Sequence, residues 1–260
     1  MEVVDGRPRF RPLDTADPRY ATDFILPSER MVEACRADDH TCLAPWIAAR
    51  RLTTAQAQHA AQRYRLGRTR SGRTLYWMID ELREPLDAHI EPDGWLSTLL
   101  RQRQPLLSHW RADHCLFGLH LLAEEEDTAA GRQRPVFVVE REASAVVLAE
   151  LFPEGLWMAY VSPMFLEPAL FEPLRGRQVT IYPPTDLTYT AYPLVADFAA
   201  MLRRRSLHVS VASLLEDHAT DEQKARGIDL LEFIYDNENL RTLKNLRPQN
   251  LNENRNGQGI

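Results

Sequence analysis

The sequence predicts an α/β protein with an open, mostly parallel sheet in its second half, flanked by helices. Three observations carry that expectation. Residues 135–139, Pro-Val-Phe-Val-Val, form a near-continuous apolar run of strand length, and 156–161, 179–182 and 207–211 supply further strand-like runs. Such runs suit strands of a parallel sheet covered on both faces. Between the first two, Ala143, Val146, Val147 and Leu151 recur at helical spacing, and 192–204 is a second amphipathic period ahead of the last strand. Strand, helix, strand, linker, strand, helix, strand is the order of an open α/β sheet, because parallel neighbours need crossover connections.

Taken in chain order, residues 1–25 are rich in Pro, Arg and Asp without a sustained period and read as an irregular arm. Residues 26–130 read as a helical and β-ribbon region. Met31, Val32 and Cys35, then Leu43, Trp46 and Ile47, fit two helical stretches broken near Asp38 and Asp39. Thr53 followed by Gln56 is a capping-box start for an alanine-rich helix over 57–64. Turn residues over 65–73 precede a strand-rich run at 74–80, and Glu84-Pro85 separates it from the alternating 86–90, which predicts a hairpin or short antiparallel ribbon. Trp95, Leu96, Leu99 and Leu100 resume a helical spacing, and 114–122 is an apolar segment leading into a helix. The acidic and Ala/Gly stretch 124–133 marks a boundary. The sheet domain then occupies 131–240, with 216–224 as polar loop or helix and 229–235 as a closing helix. Residues 241–260 are Asn-rich and aperiodic, the pattern of a flexible polar tail.

Composition narrows the function classes. Among 260 residues, 44% are hydrophobic and 26% charged, the balance of a globular protein rather than a disordered one. No apolar run approaches the ~20 residues of a membrane helix, and the first residues begin no signal peptide. A soluble cytoplasmic protein with no membrane partner is expected. Cys35, His40, Cys42, His114 and Cys115 lack the repeated spacing of a zinc knuckle, so a zinc site is not expected. A net charge of −6 excludes coating nucleic acid by bulk electrostatics. It leaves room for local contacts through Arg203, Arg204 and Arg205 and the arginines at 101, 103, 132, 134, 175 and 177, with the acidic run 124–127 elsewhere.

In an open parallel sheet, functional side chains collect beyond the C-terminal strand ends. Glu140 ends the first strand and Asp186 follows the third by a short turn, so the two carboxylates can converge on a hard divalent cation or, equally, cap helices and pair with arginines. The segment Pro-Val-Phe-Val-Val-Glu-Arg-Glu-Ala-Ser-Ala at 135–145 resembles the opening strand and helix of the TOPRIM domain shared by bacterial primases, topoisomerases and some nucleases. More closely, the chain resembles an uncharacterised primase-like family of Bacteroidetes genomes and their mobile elements. That likeness rests on Gly-Arg-Thr-Leu-Tyr-Trp-Met-Ile-Asp at 72–80, His-Cys-Leu-Phe-Gly-Leu-His-Leu-Leu at 114–122, and the segments 176–186 and 227–233.

The resemblance implies a TOPRIM-like sheet in which magnesium sits between a glutamate and an Asp-x-Asp motif. Glu140 matches the glutamate and Asp186 the second aspartate, whereas Pro184 stands where the first aspartate belongs, and no glycine follows within 187–192. Glu140 and Asp186 are therefore the implied catalytic pair, Glu142 or water the implied auxiliary ligand, and magnesium is bound weakly or not at all. Arg141, Arg175 and Arg177 are the implied phosphate contacts. Implied partners are DNA or RNA and a replication or mobile-element protein. Two readings stay open. One is a primase-like nucleic-acid-associated protein with a degenerate phosphoryl-transfer site, an accessory factor of a mobile element. The other is a non-catalytic α/β protein-interaction module that uses Trp77, Trp95, Trp110 and Trp157.

Overall fold

A computed structural model of the chain describes residues 2–4, 7–9, 27–36, 43–48, 51–103, 112–123 and 134–236. The arm expected to be irregular carries a short antiparallel hairpin, β1 (Glu2–Val4) on β2 (Arg7–Arg9). Helices α1 (Glu29–Ala34), α2 (Ala44–Ala48) and α3 (Thr54–Arg63) follow. Thr53 and Gln56 form the capping box that their spacing predicts, each satisfying the other's backbone N–H.

An antiparallel sheet comes next, in the order β3 (Gly67–Arg68), β4 (Thr74–Ile79), β5 (Pro85–Ile90), β6 (Gly94–Trp95), and α4 (Leu96–Arg103) continues from its last strand. Strand β4 is buried on both faces. Leu75, Trp77 and Ile79 pack with Val32, Ala88, Ile90 and Leu96, whereas Tyr76 and Met78 join the main core. The segment 114–122 forms a 3-10 turn, Leu119–Leu121, and passes into helical backbone at 122–123, beyond which the expected helix lies outside the described residues. Gly118 enters that turn at φ +85, with Trp157 O only 2.9 Å from where a Cβ would stand.

Among the described residues the second half holds four strands, all parallel. They are β7 (Val136–Val139), β8 (Leu156–Ala159), β9 (Gln178–Ile181) and β10 (His208–Val211), in the spatial order β10-β9-β7-β8. Helix α5 (Glu142–Leu151) connects β7 to β8. The short α6 (Pro168–Phe171) precedes β9, and α7 (Ala191–Arg204) links β9 to β10. The polar stretch after β10 forms two short helices, α8 (Leu214–His218) and α9 (Asp221–Arg226), before α10 (Leu230–Asp236). The tail from 237 onward lies outside the described residues, as do Trp110, His40 and Cys42.

One apolar core joins the two halves. It runs from Ala57, Ala60 and Tyr64 of the α3 segment through Tyr76, Met78, Phe117 and Leu121 to both faces of the parallel sheet. The Tyr64 hydroxyl donates to Trp157 O at 2.8 Å, fully buried. Phe117 exchanges backbone hydrogen bonds with Ala159 in an antiparallel bridge on the outer side of β8. Two of the tryptophans proposed as partner contacts are thereby corrected: Trp77 and Trp157 are core residues, and Trp95 is half-buried. Cys115 is also buried.

Candidate functional site

The strand order places β7 and β9 side by side at the centre, while the chain leaves β7 toward β8 and β9 toward β10 on opposite sides. At such a switch point the connecting segments diverge and open a crevice beyond the C-terminal strand ends. Glu140 stands at that end of β7, with Arg141 alone between it and the first residue of α5. Val161, on the neighbouring strand end, donates its backbone N–H to Glu140 O at 2.9 Å. Val161 itself has φ +69, which is strained for a β-branched residue and ends β8 earlier than its apolar run suggests.

Side chains of both sign crowd this rim. Burial raises the Glu140 pKa; Arg141 opposes the rise, and the charges of Asp229 and Glu142 add to it. Glu142, buried in the first turn of α5, accepts from His89 of β5, with Nδ1 and Oε1 2.6 Å apart. Burial is the largest influence on the His89 imidazole and disfavours its charge. The Glu142 hydrogen bond and the charges of Glu142, Glu91 and Asp87 outweigh it, and the pKa is raised.

Asp87, completely buried, accepts from the Ala88 and Ser97 backbone N–H groups at 2.8 and 3.0 Å, and its Oδ2 lies 3.2 Å from His114 Nε2. Trp95 lies between the two histidines, stacked on His114 at 4.1 Å and tilted to His89 at 5.3 Å, with Phe165 edge-on to both Trp95 and His114. Two carboxylate–imidazole pairs therefore flank Trp95, and Glu142 of one pair stands close enough to Glu140 for its charge to raise the Glu140 pKa.

Tyr160, the first residue after β8, is buried with its hydroxyl unpartnered, and its pKa is raised well above the usual value by burial and by the charges of Glu140 and Asp229. Asp229 accepts from the Ser144 hydroxyl and caps α10. Its Oδ1 takes the Glu232 N–H at 3.0 Å while Glu232 takes the Asp229 N–H at 3.1 Å.

The sequence-derived site residues separate into three groups. Glu140, Glu142 and Arg141 meet at the rim, where Arg141 is tied to Glu232 at 3.2 Å. Asp186 follows β9 on the same end of the sheet, but its carboxylate is turned back onto its own loop. It accepts from the N–H groups of Thr188, Thr190 and Ala191 and from both threonine hydroxyls, at 2.5–3.1 Å, and so closes the entry to α7. Burial is the largest single influence on Asp186 and raises its pKa, but those donors together outweigh it and hold the pKa well below the usual carboxylate range. Arg175 and Arg177 precede β9 and lie at the opposite end of the sheet from Glu140, where Arg175 pairs with Glu172 at 2.5 Å and donates to Arg205 O.

The donor set does not fit a magnesium shell. Among the described residues no three His, Cys, Asp or Glu side chains are gathered as a cation would need. Asp186 and Asp229 serve as helix caps, and Glu142 is spent on His89. What the rim can do chemically is bind and move protons. Glu140 is an acid held toward its neutral form, and the His89–Glu142 pair is held toward its charged form.

Asp87 and His89 escaped the sequence reading, which weighed His114 only as a zinc ligand and Trp95 only as a partner contact. The alternation over 86–90 suggested only a hairpin or short antiparallel ribbon, and the Asp-x-His spacing was the one signal that could have flagged its polar residues.

Residues 86–185 match the model of a domain of unknown function, DUF6371. The matched span opens in β5 and closes in the loop after β9. It therefore contains Asp87, His89, Trp95, His114, Glu140, Glu142, Tyr160 and Phe165, whereas Asp186 and Asp229 lie beyond it. No curated protein matches the chain. No helix among the described residues is long and apolar enough to cross a membrane.

Proposed function

We propose that this chain is a primase-like, nucleic-acid-associated protein with a TOPRIM-type sheet and a degenerate phosphoryl-transfer site, acting as an accessory factor of a mobile element rather than as a polymerase or nuclease. One observation carries the reading. Glu140 follows the last residue of β7, the strand end where the TOPRIM resemblance expects a glutamate, while Asp186, the expected partner carboxylate, is engaged in capping α7. Arg141 beside Glu140 and the N-terminus of α5 supply positive potential for a phosphate at the same rim.

The test combines fluorescence anisotropy on single- and double-stranded DNA and RNA with magnesium calorimetry and nuclease and primer-synthesis assays in magnesium and manganese. Salt-sensitive nucleic-acid binding, weakened by Arg141→Ala, with weak metal binding and no turnover, is the expected result. Robust turnover lost in Glu140→Ala would overturn the degenerate site. Absence of binding to every nucleic acid would overturn the association itself.

A second reading, a protein-interaction module, draws on a different observation. Leu187, Tyr189 and Leu194, at the loop that Asp186 closes and the start of α7, are exposed to 61%, 54% and 47%. A row of exposed apolar side chains on an ordered loop suits a protein partner better than a phosphate backbone.

A further inference from the structure

The end of the parallel sheet opposite Glu140 holds charges that the rim does not use. Strands β9 and β10 are parallel neighbours, so Arg175, which leads into β9, and Arg203, Arg204 and Arg205, which end α7 and lead into β10, arrive at one edge. With β9 four residues long, about 13 Å of strand separates this base from the Glu140 end. Arg175 donates to Arg205 O at 2.8 Å and pairs with Glu172 at 2.5 Å, while Arg205 reaches the second Glu172 oxygen at 4.0 Å. Arg203 donates to Val209 O at 2.9 Å, and Arg204 is exposed. Among the described residues Glu172 is the one carboxylate that pairs with these four arginines, on a chain whose net charge is −6.

Local structure does not account for this concentration. Arginines in the last turn of a helix complement the negative end of its dipole, which covers Arg203 and Arg204. Carbonyls at the end of α7 are already satisfied by backbone, Leu202 O by the N–H groups of Arg205 and Leu207, and Arg203 O by that of Ser206. Arg175 comes from a different element and Arg205 lies past the helix, yet both keep about half of their side-chain surface in solvent, 49% and 54%. Glu154, ahead of β8, stands two strands away from β9.

The two ends of the sheet divide by chemistry. Among the described residues of the second half, the exposed large apolar side chains are Met164, Leu187, Tyr189 and Leu194, in the loops and the first helical turn beyond the C-terminal strand ends. None of them accompanies the arginines at the base. A peptide partner needs buried apolar or aromatic anchors, and a single nucleic-acid strand is gripped by aromatic rings stacked on its bases. A duplex backbone needs neither, because guanidinium forks on phosphate oxygens and the release of counterions supply the affinity.

We infer that this base contacts the phosphate backbone of duplex nucleic acid, independently of base sequence. The inference rests on the nucleic-acid reading above and gives it a second surface, at the far end of the sheet from Arg141. With Glu172 offsetting one of the four charges, about three phosphates are neutralised here, so the logarithm of the binding constant should fall against that of the salt concentration with a slope of about −3 from this surface. Affinity then drops ~40-fold between about 50 and about 200 mM salt.

The experiment is fluorescence anisotropy on the full chain across a salt series, with labelled DNA and RNA duplexes of mixed sequence, their single strands, and poly-glutamate. A duplex is expected to bind tightest. Arg204→Ala should weaken it by ~10-fold at about 0.1 M salt and make the slope shallower by about one, whereas Arg204→Lys should retain the slope. Glu172→Gln should tighten duplex binding by ~5-fold, a gain that a damaged fold cannot produce. Unchanged duplex affinity in Arg204→Ala or in Glu172→Gln would overturn this surface, and weakening by Arg141→Ala alone would do so while leaving the nucleic-acid reading standing. Binding of a single strand or of poly-glutamate as tight as that of the duplexes would overturn the duplex assignment. Failure of every nucleic acid to bind would overturn both this surface and that reading.

Discussion

Asp87 is the most demanding test of how the candidate site is built. Its carboxylate is fully buried and ties three separate pieces together: its own strand through Ala88 N, the start of α4 through Ser97 N, and the segment before the 3-10 turn through His114. Asp87→Ala removes all three acceptor contacts and strands two backbone N–H groups and an imidazole. Hydrogen bonds to a charged partner contribute about 1.5–3 kcal/mol each, and the Ala88 contact, to the adjacent residue, belongs below that range. A total of about 3–5 kcal/mol follows, the usual cost of breaking a buried charged network. In a chain of this size the Tm should fall by roughly 10 °C. Asp87→Asn keeps an oxygen toward both backbone donors and should cost only about 1–2 kcal/mol. Urea denaturation and calorimetry read the stability, and the ring signals of His114 and Trp95 report the site. A loss in Asp87→Ala below about 1 kcal/mol, with those signals unmoved, would refute the view that a buried anion organises this rim.

Three further outcomes are expected. Glu142→Gln should lower the His89 pKa, followed by ring-proton NMR, because burial then acts without its main counterweight. Since the folded value is raised, the stability that His89 contributes is fully present below about pH 6.5 and is lost as pH rises through the folded pKa, a slope that should flatten in the variant. Asp186→Asn should cost about 1 kcal/mol as a weakened cap of α7. Because the folded pKa of Asp186 is depressed, its contribution is present above about pH 4 and declines as pH falls below that, so chemical denaturation of variant and parent should converge in acid. Gly118→Ala should destabilise by about 2–4 kcal/mol, combining a left-handed backbone with a Cβ 2.9 Å from Trp157 O, and a loss under about 1 kcal/mol would show that the segment yields instead.

The four parallel strands could be read from sequence because each is an apolar run of strand length with helical spacing or turn residues around it, and Glu140 could be placed because it ends the first. Asp186 was located correctly on the chain, yet its donors Thr188, Thr190 and Ala191 lie within five residues, and a local cap satisfies a carboxylate more readily than a distant cation does. Arg175 and Arg177 precede their strand, so in a parallel sheet they belong at the end opposite Glu140. The rest depended on long-range geometry. His89 meets Glu142 across 53 residues, and alternation along β5 cannot show which polar position will face another sheet. Trp77 looked available for a partner because a ribbon strand ordinarily has a wet face, but β4 lies between two apolar clusters.

The contact between Tyr64 and Trp157 bears on how the chain can be divided. A fragment beginning near residue 131 would keep all four parallel strands yet expose the faces that Ala57, Ala60, Tyr64, Phe117 and Leu121 cover, and would leave the Trp157 carbonyl without its phenolic donor. The outer side of β8 would also lose its bridge to Phe117 and become an open template for intermolecular pairing. Expressed alone, that fragment should aggregate, whereas the intact chain should melt in a single transition with both halves lost together.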